Sequence, residues 1–496
     1  MATAGCTNSR FVCCLDLGTS AIKGALIDAD GVVHRSHRSE APPHDIWHGF
    51  LSFDPQRYVD AVLTVLRALG EWAATENVTV AALGLTNQRA TLTPLGTNHT
   101  PCGPALSWQD TSAAPMVPML GHKVTPSRFA EITGLPPFTA LSVFRLMRLR
   151  NVCGNAFGDT AVFAELQGCV LSRLGGGPPL VDPSNAATFG LMDVRQLAWS
   201  HELLAAVGME QERLPPVHPA TSKAGELRAD VARAVNLPEK LPLILGGGDR
   251  QCATLGSGAT DAGHATLDCG TAGTVSCVLS EPATDLRGRL FCLPHVIPQR
   301  WVLEGFLNCC GGALTWAASI LGARTEEELA EMASAAPAGA NGLTFIPHLT
   351  GAGAPDFRPD ATGIFAGIGL AHTRKDMARA VLEGVAFELK RILDEVARHV
   401  PLTKIYFSGN ALGSPFGQQL LSNTLDRPVT LLADVDAGLR GMAAVVWAGL
   451  GRYESAEAAI QAFRKPTTTV ASPGEERAPL ARAYETYRDR VRRYMP

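Results

Sequence analysis

Asp16-Leu-Gly-Thr-Ser-Ala-Ile-Lys-Gly-Ala-Leu-Ile27 aligns without a gap to Asp268-Cys-Gly-Thr-Ala-Gly-Thr-Val-Ser-Cys-Val-Leu279, 252 residues further along a chain of 496. Each copy holds Asp-x-Gly-Thr between apolar runs of β character, and Phe11–Leu17 and Ala21–Asp28 flank the first. The pattern reads as two strands joined by a tight Gly-Thr-Ser turn. One copy alone requires nothing beyond an ordinary hairpin turn. Two copies half a chain apart point to two similar α/β domains that face each other. Glycine in such a turn lets backbone N–H groups approach a phosphate, and the threonine hydroxyl adds a donor. Asp16, closing the first strand, suits Mg2+ held largely through water, because magnesium dehydrates reluctantly. Two facing turns would grip a polyphosphate from both sides.

Outward from these turns, apolar β-rich runs alternate with long helical patterns, the mark of an α/β protein. Asp54-Pro55 opens a helix with Asp as N-cap, and its apolar stripe is Val59, Val62, Leu63, Leu66 and Leu69. Val78–Leu85 is a strand that ends in the polar Thr86-Asn-Gln-Arg89. Thr373 and Asp376 make an approximate capping box for a helix reaching about His399. Strand Lys404–Phe407 runs into Ser408-Gly-Asn-Ala-Leu-Gly-Ser-Pro415, with Ser414 as N-cap of the next helix. Such a junction offers free N–H groups to a nucleotide. In Leu243-Ile-Leu-Gly-Gly-Gly-Asp-Arg-Gln251, an apolar strand and three glycines lead to Asp249. That carboxylate is placed to take a proton from a substrate hydroxyl and to N-cap the following helix. A boundary near residues 240–262 divides the chain into 10–248 and 249–496, with Gly175–Pro179 and Ala335–Asn341 as loops within domains.

Composition excludes several classes. The chain has 43 basic and 47 acidic residues without blocks of either sign, so it lacks the basic surface of a nucleic-acid or anionic-membrane binder. The longest apolar run, Gly441 to Gly451, falls well short of the roughly 18 residues a membrane span needs. Asp16 interrupts the apolar stretch after Arg10 too early for a secretory signal. The twelve cysteines show no Cys-x-x-Cys or Cys/His zinc spacing and sit mostly in apolar surroundings. They read as buried free thiols of a cytoplasmic protein, which leaves the sequons at Asn77 and Asn98 without meaning. Trp199, Trp316 and Trp447 lie in apolar helical patterns and read as core; Tyr484, Tyr487 and Val491 form one face of a C-terminal helix. His348 reads as a structural histidine.

Taken together, these motifs resemble the FGGY carbohydrate kinases, within the actin, hexokinase and heat-shock chaperone ATPase superfamily. The resemblance runs from Asp16 to about Tyr494. It includes Gly84-Leu-Thr-Asn-Gln-Arg-Ala-Thr91, Ser107-Trp-Gln-Asp110, Gly248-Asp-Arg-Gln251, Phe345-Ile-Pro-His-Leu-Thr-Gly351, Gly363-Ile-Phe-Ala-Gly-Ile-Gly369 and Arg379-Ala-Val-Leu-Glu-Gly-Val385. It implies two ribonuclease-H-like, actin-like ATPase domains flanking a deep catalytic cleft. The first, 10–248, would bind the sugar or polyol and the second, 249–496, ATP. Asp16 would serve the metal, Gly18, Thr19 and Ser20 the first phosphate turn, and Gly270 and Thr271 the second. Gly311 matches a glycine near the nucleotide phosphates, and Gly409, Asn410, Ala411 and Ser414 match the adenine and ribose pocket. Asp249 matches the catalytic base, while Gln88, Arg89, Trp108, Asp110 and Arg250 fall at acceptor positions. The cofactors implied are ATP and Mg2+. The implied partner is a small polyol or sugar, and self-association is left open.

The acceptor is where the pattern departs. Thr86-Asn-Gln-Arg89 and Trp108-Gln-Asp110 are similar to glycerol kinases, whose next residue is a substrate-binding Glu; here it is Ala90. An aromatic expected after Thr133-Gly-Leu-Pro136 is replaced by Ala140, the Gln after the base is Arg250, and a Lys-x-x-Trp element reads Arg145-Leu-Met-Arg148. Xylulokinases carry a His where Ala90 stands. Two groups reduced to alanine imply a roomier, less polar pocket, while Arg250 could orient a more oxygenated or acidic sugar. The expectation is ATP-dependent phosphorylation of a small polyol or ketose, glycerol first, then a pentulose of the xylulokinase or ribulokinase type. A catalytically silent nucleotide-dependent sensor or switch is the alternative of another class.

Overall fold

The computed structural model describes residues 10–283, 286–432, 436–465 and 468–495. Strands Arg10–Leu17 and Ala21–Asp28 pair antiparallel with Leu17 opposite Ile22, so Gly18, Thr19 and Ser20 are the whole turn. The Gly18 N–H donates to the Ala21 carbonyl at 3.1 Å, and the Tyr58 hydroxyl donates to the Gly18 carbonyl at 2.8 Å. Alternation sends the side chains of the first strand to two cores. Phe11, Cys13, Leu15 and Leu17 meet helix Pro55–Thr75 through Tyr58, Val62 and Leu66. Val12 and Cys14 point the other way, to Met442, Val446 and Phe463.

The first sheet runs Lys223–Glu226, Pro242–Gly248, Thr79–Asn87, Arg10–Leu17, Ala21–Asp28, Val33–Glu40. The second runs Thr468–Ala471, Val429–Leu432, Lys404–Ser408, His264–Cys269, Gly273–Leu279, Trp301–Leu307, Phe291–Pro294. Its first six strands repeat the polarity of the other sheet: an antiparallel edge, two parallel pairings, then two antiparallel ones. Registers match as well, since Asp16 lies opposite Thr86 and Asp268 opposite Ser408. The expected pair of α/β domains flanking a cleft is the fold observed.

A smaller sheet, Asp45–Trp47, Phe50–Phe53, Ala105–Leu106, Leu92–Leu95 and Val162–Glu165, extends the first half. Its apolar cluster contains Phe129, Phe144 and Phe189 and reaches Phe291 and Leu293 of the second half. Helices Asp249–Gly256 and Ala437–Gly449 cross with no side chain between them. A Cβ on Gly441 would lie 1.8 Å from the Cys252 carbonyl oxygen, and one on Gly256 1.8 Å from that of Ala437. Helices Ala437–Gly449 and Ala456–Ala462 cover the back of the first sheet, and the Trp447 indole donates to the Asp28 carbonyl at 2.9 Å. Packing therefore does not follow chain order: a helix pair from the second half completes the core of the first.

Other expectations fare variously. Asp54 caps its helix, accepting from the Gln56 N–H at 2.8 Å, and Asp376 accepts from the Thr373 N–H at 2.8 Å. Trp447 is buried in a helix and Trp316 half-buried, stacked on Phe345. Trp199 is buried in strand Ala198–Trp199, not in a helix; it pairs with Met192 in a hairpin, and its indole donates to the Pro215 carbonyl at 3.0 Å. Leu480, Tyr484, Tyr487 and Val491 bury one face of helix Arg477–Tyr494. His348 is buried and lies 3.4 Å from Glu388. The described cysteines are free thiols; Cys102 is exposed. Among the described residues no helix is long and apolar enough to cross a membrane.

Candidate active site

The carboxyl ends of the central strands of both sheets open into one crevice, where α/β proteins bind ligands. Asp16, Asp249, Asp268 and Asp436 line a narrow cavity of about 230 Å3, with Thr86, Thr274 and Ser408 between them. Deep placement in the cleft pushes Asp16 up to about 7; Asp249 and Asp436 add to that, and Lys23 opposes it. Asp268 opens to the cavity yet is ringed by protein, which also raises it, with Arg250 and the Ser408 hydroxyl (3.2 Å) in opposition. This is a set of acids short of positive charge. Among the described residues no three His, Cys, Asp or Glu side chains converge closely enough to cage a metal unaided.

Asp249 is aimed by its neighbours. Gly246 holds φ +78°, and a Cβ there would lie 1.8 Å from the Leu85 carbonyl oxygen, so only glycine fits. The Gly248 N–H donates to the Ser184 Oγ at 2.9 Å, and that hydroxyl donates to buried Asp182. Burial pushes Asp182 up to about 6 despite hydrogen bonds from Ser184 and Asn185. Asp249 is not the N-cap of its helix. Gly248 supplies the extended cap conformation, and Asp249 is the first helical residue, accepting from the Arg250 N–H at 2.8 Å. Its carboxylate therefore faces the cleft, 42% exposed.

On the other side of Asp249 lies a larger cavity of about 750 Å3. At its mouth the Thr19 hydroxyl donates to Gln88 Oε1 at 2.6 Å and accepts from the Trp108 indole at 2.9 Å. Arg89 makes a two-pronged pair with Glu304, at 3.1 and 2.8 Å, and its Nε lies 3.5 Å from Asp249. Burial opposes the guanidinium charge, but Glu304 and then Asp249 hold its pKa above the usual value. Gln251 also donates to Glu304, at 2.8 Å. Arg250 is half-buried; it donates to the Thr274 hydroxyl and lies over the Phe306 ring, 5.3 Å from its centroid. Asp110 does not reach this cavity's wall. It is buried behind Trp108, where it accepts from the N–H groups of Leu51 (2.6 Å) and Ser112 (3.1 Å). Ala90, at φ +59°, and Ala140 do line it. Buried Arg145 ties both together, donating to the carbonyls of Ala90, Ala140 and Ser107. Burial pushes Arg145 down to about 10, with Glu165 and Asp110 opposing.

The second turn gathers the remaining sequence candidates. The Gly311 N–H donates to the Gly270 carbonyl at 2.9 Å, that of Gly312 to Thr271 at 3.0 Å and that of Ala411 to Cys269 at 3.0 Å. Gly409 and exposed Asn410 share that lip, and Ser414 caps helix Pro415–Leu425, accepting from the Gly417 N–H at 3.1 Å. Thr19 and Gly273 border the larger cavity together, so both turns open on it; exposed Ser20 lies beside Thr19, its carbonyl accepting from Ala41. Sequence reasoning passed over Asp268, Asp436 and Glu304. Asp268 stood inside the repeat, and Glu304 is an acid in the apolar strand Trp301–Leu307. Asp436 offered only the pattern of an N-cap.

Residues 11–256 match the N-terminal domain of the FGGY family of carbohydrate kinases, and residues 268–448 match its C-terminal domain. A xylulose kinase of Klebsiella pneumoniae is 32% identical over 397 residues, covering 77% of this chain and 78% of its own. A glycerol kinase of Thermococcus kodakarensis is 26% identical over 505 residues, covering 98% and 97%. The crystal structure of gluconate kinase from Lactobacillus acidophilus matches with a TM-score of 0.92 at 25% identity, covering 98% of both chains. With both domains matched in order on one duplicated scaffold, the chain belongs to the FGGY family of carbohydrate kinases.

Proposed function

We propose that this kinase transfers the γ-phosphoryl group of ATP to a hydroxyl of a small polyol or ketose, with Asp249 as general base. The observation that carries this is the position of Asp249, whose side chain borders both the acidic cavity and the larger one. Asp249 takes the acceptor proton as the new O–P bond forms, and the bond between the γ-phosphorus and the β,γ-bridging oxygen breaks to leave ADP. Kinases of this family use ATP, typically with Mg2+. Asp16, with Asp249, Asp268 and Asp436 around it, would hold Mg2+ through its water shell, where the ion would offset charge on the transferring group. Four acids only partly offset by Lys23, Arg89 and Arg250 fit such a cation.

The N–H groups of Thr19 and Ser20 on one side and of Gly270 and Thr271 on the other cradle the phosphates, while Gly18 and Gly311, whose N–H groups close the turns, let the backbone come close. Gly409, Asn410, Ala411 and Ser414 receive the nucleoside. Arg89 orients Asp249, and Trp108 with Gln88 shapes the acceptor mouth. Arg250, bound to Thr274, bridges the two cavities rather than reaching for a sugar acid. Closure of the halves keeps water from taking the phosphoryl group. The motif around Arg89 and Trp108 favours a glycerol-type acceptor. A pentulose is the second reading, favoured by the xylulose kinase relative. The relatives named above are kinases, and none supports a silent switch.

The test is ADP release with Mg·ATP across glycerol, erythritol, D- and L-xylulose, D- and L-ribulose and gluconate. Turnover on one acceptor is expected to fall about 10²–10⁴-fold in Asp249→Asn. Undiminished activity in that variant contradicts the assignment of the base.

A further inference from the structure

The larger cavity has two unlike ends. Near Asp249 it is polar, yet Arg89 is committed to Glu304 and the Trp108 indole to Thr19, whose hydroxyl donates in turn to Gln88 Oε1. Much of the remaining wall is Leu135, Phe138 and Leu141 from the first half and Phe291, Phe306 and Phe357 from the second, with Phe306 under the Arg250 guanidinium; Gln109, Thr188, Asn308 and Thr350 add polar groups. The rings are ordered against one another. Phe138 stacks on Phe291 at 4.8 Å, Phe291 stacks on Phe357 at 5.2 Å, and Phe306 meets Phe291 edge-on at 5.0 Å. Hydroxyls set against the rings themselves would give up water for no partner there. Part of the 750 Å3, beside Thr19 and Gly273, belongs to the phosphates, but the whole lies in the range of sites that enclose ligands larger than a triol.

We propose that the acceptor is a small polyol bearing an alkyl or aryl group, its reactive hydroxyl at Asp249 and its apolar end against the aromatic wall. This rests on the phosphoryl transfer proposed above and narrows its substrate. The two alanines, Ala90 and Ala140, line the same cavity and leave it wider than larger side chains would. A buried methylene is worth about fourfold in binding, and therefore in kcat/KM when ground and transition states share the contact.

The experiment measures kcat/KM for 1,2-propanediol, 1,2-butanediol, 1,2-pentanediol and 1,2-hexanediol beside erythritol and xylitol, with affinities for the same alcohols from calorimetric titration. The expected result is a rise of about fourfold per methylene, with 1,2-butanediol at least tenfold better than erythritol and 1,2-pentanediol at least tenfold better than xylitol. In Phe138→Ala, which alters a half-buried ring, the rise is expected to shrink below twofold per methylene. A flat or falling diol series, or preference for erythritol and xylitol, overturns the inference while leaving the kinase intact. Affinity that climbs along the diols without turnover on any alcohol would keep the pocket and remove the kinase reading. Neither turnover nor climbing affinity overturns the pocket as well.

Discussion

Arg89→Met removes the guanidinium that ties the first half to the second. The arginine side chain is 10% exposed and that of Glu304 0%, so the pair sits out of reach of solvent screening. After the substitution Glu304 keeps the Gln251 amide, at 2.8 Å, but loses both prongs of the arginine. Breaking a buried pair from one side costs about 3–5 kcal/mol, because the remaining charge is left without compensation. Adding Glu304→Gln removes that charge and preserves an acceptor for Gln251. The double variant should then lie only about 1–2 kcal/mol below wild type, the net worth of the lost hydrogen bonds. Urea unfolding followed by tryptophan fluorescence and circular dichroism measures all three proteins; coincident transitions license the comparison. Stability should return in the double variant while turnover does not, since Arg89 also lies 3.5 Å from Asp249. A single variant within 1 kcal/mol of wild type, or a double variant no more stable than the single, refutes the reasoning.

Asp16, raised from 3.8 to about 7, binds its proton more tightly in the folded than in the unfolded chain. The ligand-free protein should therefore lose stability as pH rises from about 4 to about 7, by at most about 4 kcal/mol, and level off above. Asp16→Asn should flatten that slope, which melting temperatures at pH 5 and 8 will read. A cation at Asp16 must displace that proton, so the Mg2+ concentration giving half-maximal turnover should rise as pH drops below about 7; one unchanged down to pH 5 contradicts this. Gly441→Ala forces a methyl to 1.8 Å from the Cys252 carbonyl and should cost about 3 kcal/mol or more; an unaltered melting temperature argues against the helix crossing. Arg145→Met frees the carbonyls of Ala90, Ala140 and Ser107, so the acceptor KM should rise at least tenfold with the KM for ATP unchanged. Arg145→Lys should not rescue it, because an ammonium cannot span three carbonyls.

The hairpins at Asp16 and Asp268 were legible because their chemistry is local: glycine, threonine and an acid within four positions, between β-forming runs. The matching order of the remaining strands was not, since pairing between Lys404–Ser408 and His264–Cys269 joins segments more than a hundred residues apart. Asp249 was legible as an acid after glycines, but its helix position turned on the conformation of Gly248, which no side-chain pattern encodes. Asp110 carried a family motif, yet the N–H groups of Leu51 and Ser112 claim its carboxylate. The aromatic wall was invisible for a plainer reason. Phe138, Phe291 and Phe306 sit in ordinary apolar stretches, Phe357 stands between Asp356 and Arg358, and only the meeting of the two halves brings them together. An apolar helix such as Ala437–Gly449 reads the same whichever sheet it covers.

That last helix sets the schedule of synthesis. Val12, Cys14, Ala25 and Ile27 are buried by Met442, Val446 and Phe463. At about 5–20 residues per second, a ribosome that has finished Gly256 needs roughly 10–40 s more to deliver Phe463. Throughout that interval one face of the newborn first sheet has no cover. A fragment ending at the interdomain strand would carry the same bare face permanently, and separately made halves would have to trade a helix pair to be whole. The two halves mature as one event.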